Sequence, residues 1–329
     1  MGLRLANHSS YPRIGESAEG QLLRRTIAQW EKGEKTDADL RAAENRMTEL
    51  AIEEQVAAGL NVVTDGQIRW YDAISHLAGK LQGARINGLL RFFDTNTYFR
   101  QPVITGRLER TGPMVVEEYR FAQQKTSRPV KPVLTGPYTL ARLSVAENGT
   151  ASLFENMLED YTRVLAEEIA ALAAAGARMI QVDEPYLLKR PQDFPALARA
   201  LDELAARKGS ARLSLALYFG DVTALYERLQ KLPVDELVLD FTYSPRLVDA
   251  IAAGGSDKEL GLGLLDGRNT RLEDVGTTTR QLERILKAMG SVSATLMPSC
   301  GLEYLPRDRA QLKLKHLLSL RQALEGSRV

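Results

Sequence analysis

The stretch Arg178-Met179-Ile180-Gln181-Val182-Asp183-Glu184-Pro185 decides how the chain reads. Met179, Ile180 and Val182 give it an apolar centre, two carboxylates close it, and a proline stops it. A short aliphatic run bounded by turn residues suits a strand buried on both faces. Such strands belong to parallel sheets, in which each return needs a crossover helix. Seven more runs of this kind follow the same pattern, at 3–8, 61–65, 130–135, 212–218, 236–240, 260–266 and 294–299. Helical patterns lie between them at 37–58, 151–175, 192–208, 222–231, 272–289 and 307–325. The first two end at Gly59 and Gly176, where a helix terminus favours glycine.

Eight such units in 329 residues predict a single (β/α)8 barrel domain over residues 1–329. The competing architecture is an open doubly wound sheet. The count of eight favours the closed barrel, as does the lack of a G-x-G-x-x-G turn after the first strand. The longest connection, 66–129, is predicted to be an elaborated loop on the top face after the second strand, with a hairpin or extended excursion around 100–110. No low-complexity stretch or linker divides the chain.

Forty-three basic and 42 acidic side chains leave a net charge of +1, against the basic excess of a general nucleic-acid binder. No apolar run approaches the roughly 18 residues of a membrane span. Residues 1–11 lack the apolar core of a signal peptide. With Cys300 as the single cysteine, a reducing, cytoplasmic location is expected.

In such barrels the chemistry sits at the C-terminal ends of the strands. Those ends read His8-Ser9-Ser10, Asp65-Gly66-Gln67, Thr135-Gly136-Pro137, Asp183-Glu184-Pro185, Tyr218-Phe219-Gly220-Asp221, Asp240, Asp266-Gly267-Arg268-Asn269 and Ser299-Cys300-Gly301. Each is also good turn chemistry. Together they form a ring of polar groups around one mouth. Asp183 and Glu184 are adjacent in a strand, so one faces the mouth and the other the surrounding helices. A mouth-facing carboxylate suits a substrate ammonium group. Arg268 suits a substrate carboxylate, or a salt bridge to Asp266 or Asp240. Trp70 and Tyr71 suit either a flat heterocycle or the core. Cys300 is read as a core residue, a nucleophile or a metal thiolate, and a metal would need further ligands. Of the three histidines, His8 lies at a strand end, and His316 is expected on a surface helix without a catalytic role.

Several strings together resemble the cobalamin-independent methionine synthase family, over the whole length. They are Ser9-Ser10-Tyr11-Pro12-Arg13-Ile14-Gly15, Pro102-Val103-Ile104-Thr105-Gly106, Pro129-Val130-Lys131-Pro132-Val133-Leu134-Thr135-Gly136-Pro137, Ile180-Gln181-Val182-Asp183-Glu184-Pro185 and Ser299-Cys300-Gly301-Leu302. The resemblance implies a barrel that moves a methyl group from a folate, or a methyl-corrinoid, to homocysteine or a related thiol. The full-length enzymes have two such barrels, a zinc-bearing catalytic one and a metal-free one. This chain mixes features of both.

The resemblance implies that Asp183 takes the substrate amino group and that Ser10 contacts its backbone. Gln67, Glu184 and Arg268 are further substrate-binding candidates, and Cys300 with Asp183 the catalytic ones. The family's catalytic barrel holds zinc with a His-x-Cys pair, a glutamate and a final cysteine. The matching positions here are Ala216, Tyr218, Asp240 and Cys300. Only Cys300 is retained, so any zinc would rest on Cys300 and Asp240, with His8 as a further donor. The folate-stacking tryptophan is matched by Leu143. Two other readings follow. One is a metal-free barrel that partners a separate zinc-bearing chain. The other is a decarboxylase-like barrel using Arg13, Arg69 and Arg268. A small-molecule thiol is the expected substrate, with a second barrel chain or a corrinoid protein as candidate partners. Neither a nucleic-acid nor a membrane partner is expected.

Overall fold

Buried aliphatic runs that return by helices leave each strand the same neighbour on either side, and the sheet curls until it closes. The computed structural model describes residues 2–147 and 153–326. Along the chain, β1 (Arg4–Leu5) precedes α1 (Leu22–Glu31), α2 (Asp37–Ala57) and the short α3 (Ser75–Ala78). An antiparallel hairpin follows, β2 (Leu81–Arg91) and β3 (Tyr98–Arg110), then α4 (Val116–Gln124), β4 (Val133–Thr135), α5 (Pro137–Leu143) and β5 (Val145–Ala146). The alternation then runs α6 (Leu153–Ala174), β6 (Met179–Asp183), α7 (Phe194–Arg207), β7 (Arg212–Leu217), α8 (Tyr226–Leu229), β8 (Glu236–Asp240) and α9 (Leu247–Gly254). It ends with β9 (Glu259–Leu265), α10 (Val275–Met289), β10 (Ala294–Pro298) and α11 (Arg307–Gly326).

Seven strands pair in parallel in the order β1-β10-β9-β8-β7-β6-β4. The expected strand at 61–65 survives as two parallel bridges, Ala6 to Val62 and Val63 to Val130. Those bridges join the two edges, β1 and the chain leading into β4, so the barrel closes on eight staves. The expected runs therefore all lie in the barrel wall. All five residues of β8 and of β10 are buried, as strands between a packed interior and a helical coat must be. No helix among the described residues is long and apolar enough to cross a membrane.

The sequence patterns missed α1, α3, α4, α5 and α9, which are short. The pattern at 222–231 breaks into a 3-10 turn, Thr223–Leu225, and α8. The pattern at 272–289 starts late because the Asp274 side chain accepts the Thr277 N–H at 2.8 Å and caps α10. Positions 151 and 152 of the expected helix at 151–175 lie outside the described residues. His316 does sit on an outer helix, α11, but on its inward face: it is buried, and its Nε2 pairs with the Glu273 carbonyl at 2.8 Å.

The hairpin is tied to the barrel through Glu168 on α6. This fully buried carboxylate accepts the backbone N–H groups of Met114 (3.0 Å), Val115 (2.7 Å) and Val116 (3.2 Å). It also accepts Arg110 Nε from the end of β3 at 2.8 Å. It thus satisfies the start of α4, where backbone donors have no helical partner. Removing one member of a buried charged pair costs about 3–5 kcal/mol. Glu168→Ala is expected to lose stability of that order in denaturant unfolding. A loss below about 1 kcal/mol would mean that the hairpin is held elsewhere.

Candidate active site

Residues two apart in a strand share a face. On β6, Gln181 and Asp183 both point into the barrel. Gln181 Nε2 donates to Asp183 Oδ1 at 2.7 Å, while its Oε1 accepts the buried Lys131 ammonium. Tyr218 OH donates to Asp183 Oδ2 at 3.2 Å. Burial pushes the Asp183 carboxyl up to about 7, against the pull of Gln181, Lys131 and Tyr218. Burial likewise lowers Lys131, against Glu236 and Asp183. The His8 ring meets the Tyr218 ring edge-on, 5.2 Å between centroids. His8 Nδ1 pairs with Ser9 Oγ at 2.9 Å. Its Nε2 is fully buried and has no hydrogen-bond partner. Burial, then the Lys131 charge, hold this imidazole well below its ordinary value, so it is neutral.

Glu184 points the other way. Its carboxylate accepts Tyr138 N–H at 2.9 Å, Thr139 N–H at 2.7 Å and Thr139 Oγ1 at 2.6 Å, the free donors at the start of α5. Gly136 is obligatory there, because a Cβ would lie 2.2 Å from Glu184 Oε1. The expectation of Glu184 as a substrate ligand is corrected: its oxygens are spent on the helix end.

Cys300 and Asp240 end neighbouring parts of the wall. Asp240 accepts Thr242 N–H at 2.8 Å, Thr242 Oγ1 at 2.6 Å and Phe219 N–H at 3.2 Å. Burial still raises it to about 6. Cys300 is buried, and burial followed by the Asp240 charge drives its thiol well up, so it is held as SH. Its Sγ lies 3.4 Å from the Gly301 carbonyl. Zinc needs three or four converging donors with the thiol ionised. Among the described residues no three His, Cys, Asp or Glu side chains are arranged to hold a metal. Asp240 is filled by three donors and, among the described residues, no set of further ligands converges on Cys300, so these residues do not fit a zinc ion.

Ser10 is buried against the last strand loop, where its carbonyl accepts Leu302 N–H at 3.0 Å. A Cβ at Gly301 would fall 2.0 Å from Ser10 Oγ. Gln67 is only partly buried, with φ of 52° after the Asp65 side chain accepts its N–H at 3.0 Å. Trp70 belongs to the core, its indole N–H donating to Glu118 Oε2 at 2.8 Å and its ring stacked on His76. Arg13, Arg69 and Arg268 do not converge. Arg13 donates to the Ile68 carbonyl (2.7 Å), Arg69 to Asn45 Oδ1 (2.6 Å) and Arg268 to the Asp94 carbonyl (2.9 Å).

A cap of aromatic rings closes the mouth. The hairpin tip delivers Phe93, which packs on Phe219 (5.5 Å) and Tyr186 (5.9 Å). Phe219 also meets Tyr218 (4.7 Å) and Tyr304 (5.9 Å). The Arg268 guanidinium lies over Phe219 (5.1 Å) and Tyr243 (4.9 Å), and not in a salt bridge to Asp266 or Asp240, one of the two alternatives read for it. Gln67, Phe93 and Phe219 are the described non-glycine residues with positive φ, at 52°, 51° and 67°. All three come from the loops of the top face. Strain of this kind, about 1–3 kcal/mol each, gathers at ligand clamps. A separate cleft of about 500 Å³ lies away from the mouth, between β3, β5 and α6. Arg107, Asp160 and Arg163 in its wall are already ion-paired.

Sequence reading missed Lys131, Gln181 and the cap. The first two were visible as polar residues inside otherwise aliphatic strand runs. The cap depends on the hairpin folding back, which no local pattern encodes.

Residues 10–322 match the family described as "Cobalamin-independent synthase, Catalytic domain". Among curated proteins, the chain is similar to methionine synthases of Saccharolobus solfataricus (28% identical) and Saccharolobus islandicus (30% identical). Each match spans 96% of this chain and 93% of the relative. Two solved structures share the fold at 19% identity each. One is a B12-independent methionine synthase from a Shewanella species in complex with selenomethionine, with a TM-score of 0.81 over 99% of both chains. The other is a putative vitamin-B12 independent methionine synthase from Listeria monocytogenes, with a TM-score of 0.74 over 96% of both.

Among the described residues, Arg268 is the one cation seen to join the hairpin tip to the barrel in this cap. Arg268→Ala is expected to speed amide hydrogen exchange at residues 92–97 by at least tenfold, with the exchange of β6 and β8 unchanged. Unchanged exchange at the tip would show that the rings alone hold it.

Proposed function

This chain belongs to the cobalamin-independent methionine synthase family, and on that basis we propose that it is a methyltransferase of the same type. It moves a methyl group from a folate or methyl-corrinoid donor to the sulfur of homocysteine or a related amino-acid thiol. The observation that carries the reading is Asp183, a buried carboxyl in the barrel mouth. The groups bonded to it are neutral, the Gln181 amide and the Tyr218 hydroxyl. A buried carboxylate needs a cation to be stable ionised, and a substrate ammonium supplies one. Gln181 and Tyr218 fix its orientation. Ser10 and Gln67 line the path of the amino-acid backbone, and Cys300 closes the floor beside the sulfur. The aromatic cap excludes water from the thiol. A single reduced thiol suits a cytoplasmic setting.

One observation favours a second reading. The carboxylate at the position of the family's glutamate ligand, Asp240, is saturated by its own loop. A barrel with no metal of its own could serve as the partner of a zinc-bearing chain. Methionine production by the isolated chain from homocysteine, with methyltetrahydrofolate or methylcobalamin as donor, supports the first reading. Production only after a second barrel chain is added supports the other.

The ammonium seat has a definite pH signature. Asp183 must lose its proton to hold the cation, and that proton leaves at about 7. Methionine, which has the amino group but no thiol, is therefore expected to bind more weakly as pH falls below 7. The limiting slope is about tenfold per pH unit, the linkage of one proton. Asp183→Asn should weaken methionine at least tenfold at pH 8 and abolish the slope. Calorimetric titration from pH 5.5 to 8 reads both, and a flat profile in the unaltered protein would remove Asp183 from the seat.

A further inference from the structure

We propose that Lys131 is a positioning residue for the substrate seat: it fixes the direction of the Gln181 amide and so keeps Asp183 an open anion for the substrate ammonium. The proposal rests on the reading of Asp183 as that seat and adds what holds it ready.

The register places the three groups. Val133 of β4 is paired with Gln181 of β6. Lys131 lies two residues before Val133, so it shares the inward face of Gln181 and Asp183. Its side chain is fully buried. Among the described residues, the one hydrogen bond seen from its Nζ goes to Gln181 Oε1.

A carboxamide has two unlike ends, and an ammonium can only donate. Lys131 therefore takes the oxygen end of Gln181. Nε2 is left for Asp183, 2.7 Å from Oδ1. The opposite orientation would set the amino end against the ammonium and the amide oxygen against the carboxyl. An acceptor facing Asp183 favours its protonated form, and a carboxyl that keeps its proton holds no ammonium.

The amide also keeps the cation off the seat. A lysine bonded directly to Asp183 would form an internal ion pair and leave the carboxylate no charge to offer a substrate. One amide between them prevents that pairing, while its polarised N–H still favours the ionised carboxyl. The Lys131 charge is balanced from elsewhere, since Glu236 of β8 acts on it more strongly than Asp183 does. Glu236 is itself fixed, accepting Ser214 Oγ at 2.6 Å. His8 and Tyr218 also face this chain of groups. His8 is neutral, and Tyr218 keeps its proton and donates to Asp183 Oδ2. Lys131, Gln181 and Asp183 thus run in one direction from donor to acceptor, and the lysine sets that direction.

The test is a double-mutant cycle read by calorimetric titration of methionine at pH 8. Lys131→Met and Gln181→Leu are each expected to weaken methionine about tenfold or more, the size of a charge-assisted hydrogen bond. In each, the pH below which binding weakens should rise from about 7, because a carboxyl without its donor keeps its proton to higher pH. The double variant should stay within about threefold of Gln181→Leu, since Lys131 then has no amide to direct. Losses that multiply would overturn the proposal, because a lysine acting by charge alone needs no amide. An unchanged pH profile in Lys131→Met would overturn it too, since damaged packing lowers affinity at every pH alike. If Lys131→Met does not fold, the unaltered protein decides. In isotope-labelled protein the two Gln181 amide protons, assigned by their disappearance in Gln181→Leu, should stay separately resolved, and one should shift as Asp183 titrates near 7. Amide protons that are averaged or insensitive to pH would overturn the proposal. Asp183→Asn tells the two failures apart. Methionine binding unaffected by it removes the seat and this proposal together, whereas a loss there with none in Lys131→Met removes the proposal alone.

Discussion

The alternation at the end of β6 is the constraint on which the mouth depends. Adjacent residues of a strand must point to opposite sides, so two consecutive carboxylates cannot share one task. Glu184 turns outward and closes the start of α5, and that fixes where α5 and the loop after β4 can lie. Asp183 is thereby turned inward, into a space with no bulk water. Had the strand slipped by one residue, the helix would lose its cap and the barrel would lose its polar floor. The same register sets Gln181 beside Asp183 and brings Lys131 to the far side of the amide. A lysine, an amide and a carboxyl inside the barrel form one chain, and each member makes the burial of the next tolerable.

The cap is the second layer of this arrangement. Phe93 comes from the hairpin, Phe219 from the loop after β7, Tyr304 from the loop after β10 and Arg268 from the loop after β9. Four separate segments thus meet over one carboxyl. Two of them hold an aromatic residue at positive φ, a conformation that bulky side chains resist. Nothing in the barrel wall requires that strain. Its place is explained by the mouth, where rings that exclude water make the charges beneath them act in a low dielectric.

The sequence made the barrel legible because its strands are aliphatic, short and separated by helices, so all eight runs found their place in the wall. Strand ends were equally legible: Asp183, Ser10, Asp240 and Cys300 could be placed from the turn residues that follow them. Single residues whose partners lie far along the chain were harder. Glu184 looked like a ligand until Tyr138 and Thr139 took its oxygens, and Trp70 suited a stacking platform or the core equally until Glu118 and His76 enclosed it. His316 gave the same lesson, since one helical turn decides whether a histidine meets water or Glu273. Sequence spacing carries periodicity, whereas the bonds to Glu184, Glu118 and Glu273 join residues more than 40 positions apart.

The resemblance and the physical reading meet at the position of Tyr218. In the family's pattern that position belongs to a metal-binding cysteine, and here it holds a phenol. A phenol kept protonated by burial is a poor metal ligand and a good hydrogen-bond donor. In this protein it serves as a donor, to the Asp183 carboxyl. Ala216, two residues earlier on β7, is buried among apolar neighbours and offers no ligand atom at all. The change from a ligand pair to a small residue and a phenol therefore alters more than the donor set. It converts one wall of the mouth into support for Asp183 and leaves the edge of Tyr218 against His8. This wall thus presents a phenol to Asp183 and a ring edge to His8 where the family's pattern has two ligand atoms.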